Sequence, residues 1–333
     1  MGGRIYERVR VLETTPGTVT IAHAAGISQL DLATLPEALQ KRFNYDPSRA
    51  EAWRQQANTH LRETEQLKDR ATVEKFRRAR LEELREASHS NSETEEPSAE
   101  LRPEVDLRPI FIENNLYLKY QGPRPSCAIF AIISALEFEY AVRYGRNEPL
   151  CEEFLIWAFS KEHPDAPIDD GYHFAEILET LGKYGVASRM ALPDSFATYR
   201  TGEPSDAALE EAATRRRVQV AVVSYAGDEA PHRIAGVLNK NVPVIIGLRW
   251  PRNSVFAHNN LLHAQKPVED SAHAIMIVGY RTESADGSLV FTFRNSYGPK
   301  WGLGGYGMVS AEYLRNNLLV AFALIVPHPG EER

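Results

Sequence analysis

The alternation of apolar and polar positions divides the 333-residue chain into stretches of different character. Residues 4–31 alternate in short runs, Ile5 to Leu12, Val19 to His23 and Ile27 to Leu30, broken by Pro16-Gly17 and by Gly26. Period-two runs separated by turn residues predict a small β module of SH3-like size over 1–45, in which three strands need further apolar cover to close a core. Asp46-Pro47-Ser48 predicts a helix start, with Asp46 as N-cap and Pro47 in the first helical position. From there to residue 87 the chain is rich in Ala, Gln, Glu, Arg and Lys with sparse apolar anchors, which predicts one or two solvated helices. Residues 88–104 are polar, acidic and interrupted by proline, so they are expected to form a linker.

From about Val105 the apolar density is that of an ordinary domain, expected to run to residue 327. The pattern predicts helices over Ser126–Tyr144, Glu152–Ser160, Phe174–Tyr184 and Arg233–Asn239. It predicts strands over Val218–Ser224, Val242–Trp250, His273–Tyr280, Leu289–Asn295 and Leu318–Val326, with a hairpin at Ala285-Asp286-Gly287. Helices first and antiparallel strands afterwards is an α+β order rather than the alternation of a doubly wound sheet.

Composition narrows the function class. Hydrophobic residues make up 43% and charged residues 25%, and 38 Lys+Arg against 45 Asp+Glu leave a net charge of −7, which argues against bulk electrostatic binding of nucleic acid. The longest apolar run, Leu318 to Val326, is far shorter than the roughly 20 residues that span a bilayer, so no membrane span is expected. Met1-Gly2-Gly3-Arg4 is not followed by the apolar stretch of a signal peptide, leaving a cytoplasmic chain or one numbered after removal of a targeting segment. Two cysteines, Cys127 and Cys151, cannot build a multi-bridge scaffold.

Cys127 falls at the head of the longest apolar helix, where unpaired N–H groups and the positive end of the macrodipole favour thiolate. A buried cysteine packing as a small hydrophobe is the other reading. Nucleophilic use needs a base, an orienting group and an oxyanion donor. His273 heads a β run, Asn295 ends the next one, and a hairpin brings such positions side by side. Gln121, six residues before Cys127 across Pro123-Arg124-Pro125, offers an amide within reach of the sulfur.

On these segments the chain resembles the papain family of cysteine peptidases. Gln121-Gly122 and Ser126-Cys127-Ala128 resemble its oxyanion glutamine and nucleophile, Ala272-His273-Ala274 and Val278-Gly279-Tyr280 its base segment. Asn295-Ser296-Tyr297-Gly298 with Trp301-Gly302 resembles its asparagine segment, Val105-Asp106-Leu107-Arg108 the start of its mature domain, and Asp170-Gly171-Tyr172 its substrate cleft. The resemblance implies a helical lobe and a β lobe with a cleft between them. It makes Cys127 the nucleophile, His273 its partner, Asn295 the orienter and Gln121 an oxyanion donor, with Gly171, Tyr172 and Tyr297 at the substrate. By analogy with a His-paired thiol, it also implies a Cys127 pKa depressed to ~3–5.

Three positions depart from the family pattern: Ala128 replaces an aromatic residue, Tyr297 a shielding tryptophan, and Arg124 a disulfide cysteine, so Cys127 and Cys151 are not expected to pair. The function expected is that of a cysteine endopeptidase acting on protein or peptide through a thioester, without cofactor or metal. The alternatives are a silent papain-like scaffold whose N-terminal module binds a protein partner, and an acyl transferase with the same triad, since a triad specifies only acyl transfer. A propeptide role for 47–87, with cleavage in the linker, is a further expectation, although the family's propeptide helix pattern does not register there.

Other motifs are set aside. Gly302-Leu303-Gly304-Gly305-Tyr306-Gly307 matches the dinucleotide glycine pattern but precedes a short strand instead of a helix. His258, His263 and His273 fit no zinc spacing, and the acidic run Asp165 to Asp170 lacks the spaced ligands of a calcium loop. Arg77, Arg78 and Arg80 are balanced by Glu82, Glu83 and Glu86 and read as a solvated helix face.

Overall fold

The computed structural model describes residues 6–7, 9–14, 16–23, 26–52, 54–55, 101–145, 147–166, 171–192, 202–223, 225, 227–251, 261–263, 266–267, 271–283 and 287–327. The N-terminal alternating runs form a three-stranded antiparallel sheet of β1 (Arg10–Thr14), β2 (Thr18–His23) and β3 (Gly26–Asp31), in that order. Val19 and Ile21 of β2 lie buried with Leu32, and Val11, Leu30, Leu35, Phe43 and Tyr45 pack against them. Residues after β3, including the helix Glu37–Arg42, thus lead the chain back over a sheet too small to form a core alone. The chain turns helical again at Pro47, where the Arg49 amide donates to Asp46 Oδ1 at 2.8 Å, the expected N-cap. Most of the predicted helical segment 46–87 and of the linker 88–104 lies outside the described residues, as do the Arg77–Arg80 cluster and His258.

The second unit begins slightly before the expected boundary. Arg102 donates from its backbone N–H and from Nε to Asn239 Oδ1, at 3.1 and 2.9 Å, and from Nη2 to Asn241 Oδ1 at 3.0 Å. β4 (Glu104–Asp106) already belongs to the main sheet. The end of the linker is therefore a packed strand entry, because its polar groups have specific backbone and amide partners.

That sheet contains β4, β5 (Gln219–Val222), β6 (Val244–Arg249), β7 (Leu261–Leu262), β8 (Ala272–Thr282), β9 (Leu289–Arg294), β10 (Tyr306–Ser310) and β11 (Leu318–Ile325), in the order β5-β11-β6-β8-β9-β10-β7. β8 and β9 form the expected antiparallel hairpin. β8 is the shared strand: β9 lies along one edge, while β6 pairs with Ala272–Ile277 and β4 with Gly279–Arg281 on the other. Gly279 sits where β4 comes closest, and a Cβ there would stand 2.4 Å from the Val105 carbonyl oxygen.

Helices build the other half: Arg108–Glu113, Cys127–Tyr144, Glu152–Glu162, Phe174–Tyr184 and Asp206–Ala213, with Ala230–Asn239 and Ala311–Asn317 beside the sheet. Ala128 through Val142 are all buried, Glu137 and Glu139 among them, as expected of a mainly apolar helix at the centre of its fold. The pattern missed the short helices Arg108–Glu113, Asp206–Ala213 and Ala311–Asn317, which have too few turns to display a period. Among the described residues, no helix is long and apolar enough to cross a membrane. The arrangement is α+β, with helices on one side and an antiparallel-rich sheet on the other.

Candidate active site

Cys127 opens the central helix after Pro123-Arg124-Pro125, with Ser126 in the cap position. Its sulfur reaches the β lobe, where the Ala274 amide donates to Sγ at 3.4 Å. The nucleophile candidate therefore lies one residue from His273 on β8.

His273 is buried, and the strand register explains its partner. Met276 of β8 pairs with Arg294 of β9, so continuing the ladder by one step sets Asn295 across from Ile275, diagonal to His273 and on the same face. The amide closes that diagonal: Asn295 Oδ1 lies 2.8 Å from His273 Nε2, and the Ser296 backbone N–H holds the same oxygen from behind at 2.8 Å. An acceptor at Nε2 assigns the proton of a neutral imidazole to that nitrogen and leaves Nδ1 as the basic atom. Asn295 Nδ2 is buried with no hydrogen-bond partner among the described residues.

Two aromatic rings pack against the imidazole. Tyr297 stacks on it with ring centres 4.8 Å apart and planes at 25°, its hydroxyl 3.5 Å from Nδ1. Trp250 meets it edge-on at 4.7 Å. Where the family pattern has a shielding tryptophan this chain has Tyr297, and a second ring, Trp250, which the pattern did not assign to the site, packs against the same imidazole. Trp250 ends the run predicted as Val242–Trp250, and Leu248 of that strand pairs with His273 itself. A tryptophan two positions on from the base's partner was the available signal.

Gln121 is buried and tied to both sides of the site. Its backbone N–H donates to the Ser296 carbonyl at 2.9 Å, its Oε1 accepts from Ser296 Oγ at 2.5 Å, and its Nε2 donates to the Arg124 carbonyl at 2.8 Å. An amide nitrogen carries two hydrogens, so one remains for an oxyanion. Gly171 has φ +83°, and a Cβ on it would meet the Pro125 carbonyl oxygen at 3.4 Å, which places it against the loop before Cys127. Tyr172 packs edge-on against Phe159 at 4.9 Å. Cys151 is buried at the cap of Glu152–Glu162, its Sγ 3.7 Å from the Leu192 carbonyl oxygen, and both thiols are free.

The electrostatics correct one expectation. Burial pushes the Cys127 thiol up, against the pull of the Ala274, Ala128 and Cys127 amides, and it lowers His273 to about 4 against the support of Asn295. For Cys127 this direction is opposite to the depressed pKa that the resemblance implied, and its cause is burial. The glycine run 302–307 turns the chain into β10, which supplies no helix for a dinucleotide.

Comparisons with known proteins agree on one family. The family model described as Papain family cysteine protease matches residues 103–320. An uncharacterized peptidase C1-like protein of Acanthamoeba polyphaga mimivirus is 24% identical over 212 residues, covering 60% of this chain and 66% of the relative. Ananain of Ananas comosus is 29% identical over 199 residues, covering 57% and 50%. The chain thus spans from about half to two thirds of the length of the curated relatives it matches. Among solved structures, xylellain, a cysteine protease from Xylella fastidiosa, superposes with a TM-score of 0.57 at 21% identity, covering 72% of this chain and 91% of that one. The bromelain protease from Ananas comosus, in complex with the E64 inhibitor, gives 0.51 at 20% identity, covering 68% and 100%.

Proposed function

The chain belongs to the papain family of cysteine proteases, and from that premise we propose that it is an active endopeptidase that cleaves peptide bonds through Cys127, His273 and Asn295. The observation that carries this reading is the 2.8 Å bond between His273 Nε2 and Asn295 Oδ1, on the strand whose next amide holds the Cys127 sulfur.

In this reading the Sγ–H proton passes to His273 Nδ1 as sulfur attacks the substrate carbonyl carbon, so both charges form in one step and neither is buried alone. The electron pair of the carbonyl moves onto oxygen, which accepts from the free Gln121 Nε2–H and the Cys127 backbone N–H. Collapse of the intermediate expels the amine, which takes the proton from Nδ1, and leaves a thioester on Cys127. Water then gives a proton back to Nδ1 and adds to the thioester. Collapse releases the acid, and that proton returns to sulfur. Asn295 keeps Nδ1 facing the reaction throughout, while Gly171, Tyr172 and Tyr297 border the substrate.

Labelling with a cysteine-directed epoxysuccinyl peptide tests this, with the modified residue located by peptide mass spectrometry under mild reduction near pH 6. Labelling confined to Cys127 and lost in His273→Ala is the expected result. An unlabelled, folded wild type that also fails to hydrolyse peptides would overturn the reading.

A further inference from the structure

The loop that carries Gln121 and leads into Cys127 is held at both ends by buried charge. At its far end, Arg124 forks onto Glu153 of the helix Glu152–Glu162, Nη1 to Oε2 at 2.9 Å and Nη2 to Oε1, and both side chains are 2% exposed. At its near end, Lys119 Nζ donates to Glu137 Oε1 of the central helix at 2.8 Å and also pairs with Glu152, which in turn takes Arg189 at 2.8 Å. Glu137 Oε1 further accepts from the Leu150 backbone N–H at 2.8 Å. Three cations thus meet three carboxylates beneath the segment 119–126. None of these groups takes part in the chemistry proposed above.

Arg189 is half-exposed but the other five groups are withdrawn from water, where ions are expensive unless fully paired and apolar residues of like volume commonly serve stability as well. Their position suggests what they do instead. The Arg124 carbonyl accepts from Gln121 Nε2 and from the Ser126 N–H, both at 2.8 Å, so the residue whose guanidinium is clamped by Glu153 also aims the amide of Gln121. The Lys119 carbonyl accepts from the Gly298 N–H at 2.9 Å, just past Tyr297.

We propose that Arg124, Glu153, Lys119, Glu137 and Glu152 are positioning residues, an ionic brace that fixes the Gln121 donor where the substrate's oxyanion forms. The proposal rests on the peptidase reading for its catalytic consequence, but the brace itself is a property of the loop. It is independent of thiol redox state, since no disulfide joins this loop to the helix it rests on.

Two full-length variants test it. Glu153→Gln removes one ion. The double change Arg124→Met with Glu153→Leu removes both without leaving either charge buried, and so guards against simple misfolding. Hydrogen exchange read by mass spectrometry should show faster exchange in peptides spanning 119–126 in both variants, with the rest of the domain unchanged. In the wild type, a peptide aldehyde forms an oxyanion-bearing adduct, whereas iodoacetamide reports only on the thiol. The expected result is an aldehyde affinity and kcat lowered about 100-fold, KM nearly constant, and iodoacetamide alkylation of Cys127 within about twofold of wild type. Parallel loss of alkylation would assign these residues to holding the nucleophile and overturn the proposal. Wild-type exchange in both folded variants, or faster exchange with unchanged aldehyde affinity, would overturn it equally. If the wild type neither binds aldehyde nor hydrolyses peptide, the peptidase reading falls while the exchange comparison still decides the brace.

Discussion

The two halves of the candidate site are held by opposite kinds of chemistry. On the nucleophile side, the loop 119–126 rests on ions withdrawn from water, Arg124 with Glu153 and Lys119 with Glu137 and Glu152. On the base side, His273 rests among Trp250 and Tyr297, with Phe293 and Trp301 behind them, and the Asn295 amide supplies its shortest polar bond. Ion pairs are directional and fix a backbone loop at chosen atoms. Aromatic packing is broad, and it sets the plane of a ring while keeping water away from it. A donor that must point at one oxygen and a base that must stay dry call for different supports.

The largest expected effect strikes the base side alone. His273→Ala should lower kcat/KM about 1,000-fold or more, as loss of a general acid–base does, measured by hydrolysis of a fluorogenic peptide. The ionic side breaks next. Arg124→Ala strands the Glu153 carboxylate in the interior and should cost about 3–5 kcal/mol, read from the denaturant midpoint, whereas the doubly apolar replacement should recover most of that loss. Recovery would sharpen the contrast; failure to recover would mean that the ions also support the fold.

Acid should expose the base side. His273 is held at about 4, below its ordinary value of 6.5, so between these values the unfolded chain binds the proton that the folded one refuses. The contribution is complete above pH 6.5 and fades as pH falls toward 4, by about 3 kcal/mol in all. Thermal melts across that window should show a slope that is absent in His273→Gln. For Cys127 the direction reverses: its raised pKa favours the fold below the ordinary thiol value and withdraws that support as pH rises past it. The smallest effect belongs to Tyr297→Phe, which keeps the stacked ring and removes a hydroxyl 3.5 Å from Nδ1. Its stability should change by less than about 1 kcal/mol, and epoxysuccinyl labelling of Cys127 should quicken by no more than about fivefold.

The same contrast explains what could be read from the sequence. Period-two and period-3.6 patterns report apolar burial, so β8, β9 and the Cys127–Tyr144 helix were legible to within a residue or two, while the roles given to Cys127, His273, Asn295 and Gln121 came from the family resemblance. Trp250 was legible as a strand end but not as a wall of the site, because its role depends on which strand β6 joins. The ions were illegible in principle. Glu137, Glu152 and Glu153 interrupt apolar helices as solvent-facing residues do, and only the fold reveals that Arg124, 29 positions before Glu153, lies beside it. Arg124 stood out as a departure from the family pattern without disclosing what it had become.

The entry strand β4 has a consequence for where this chain can be shortened. Arg102 is tied to Asn239 and Asn241, the Tyr280 hydroxyl donates to the Arg102 carbonyl at 3.0 Å, and the Thr282 N–H donates to that of Pro103 at 2.9 Å. Residues 101–106 are therefore a selvage woven onto the strand that bears His273. A cut upstream of Leu101 leaves that border intact, whereas a cut even a few residues later unpicks the edge of β8 on which the base is mounted.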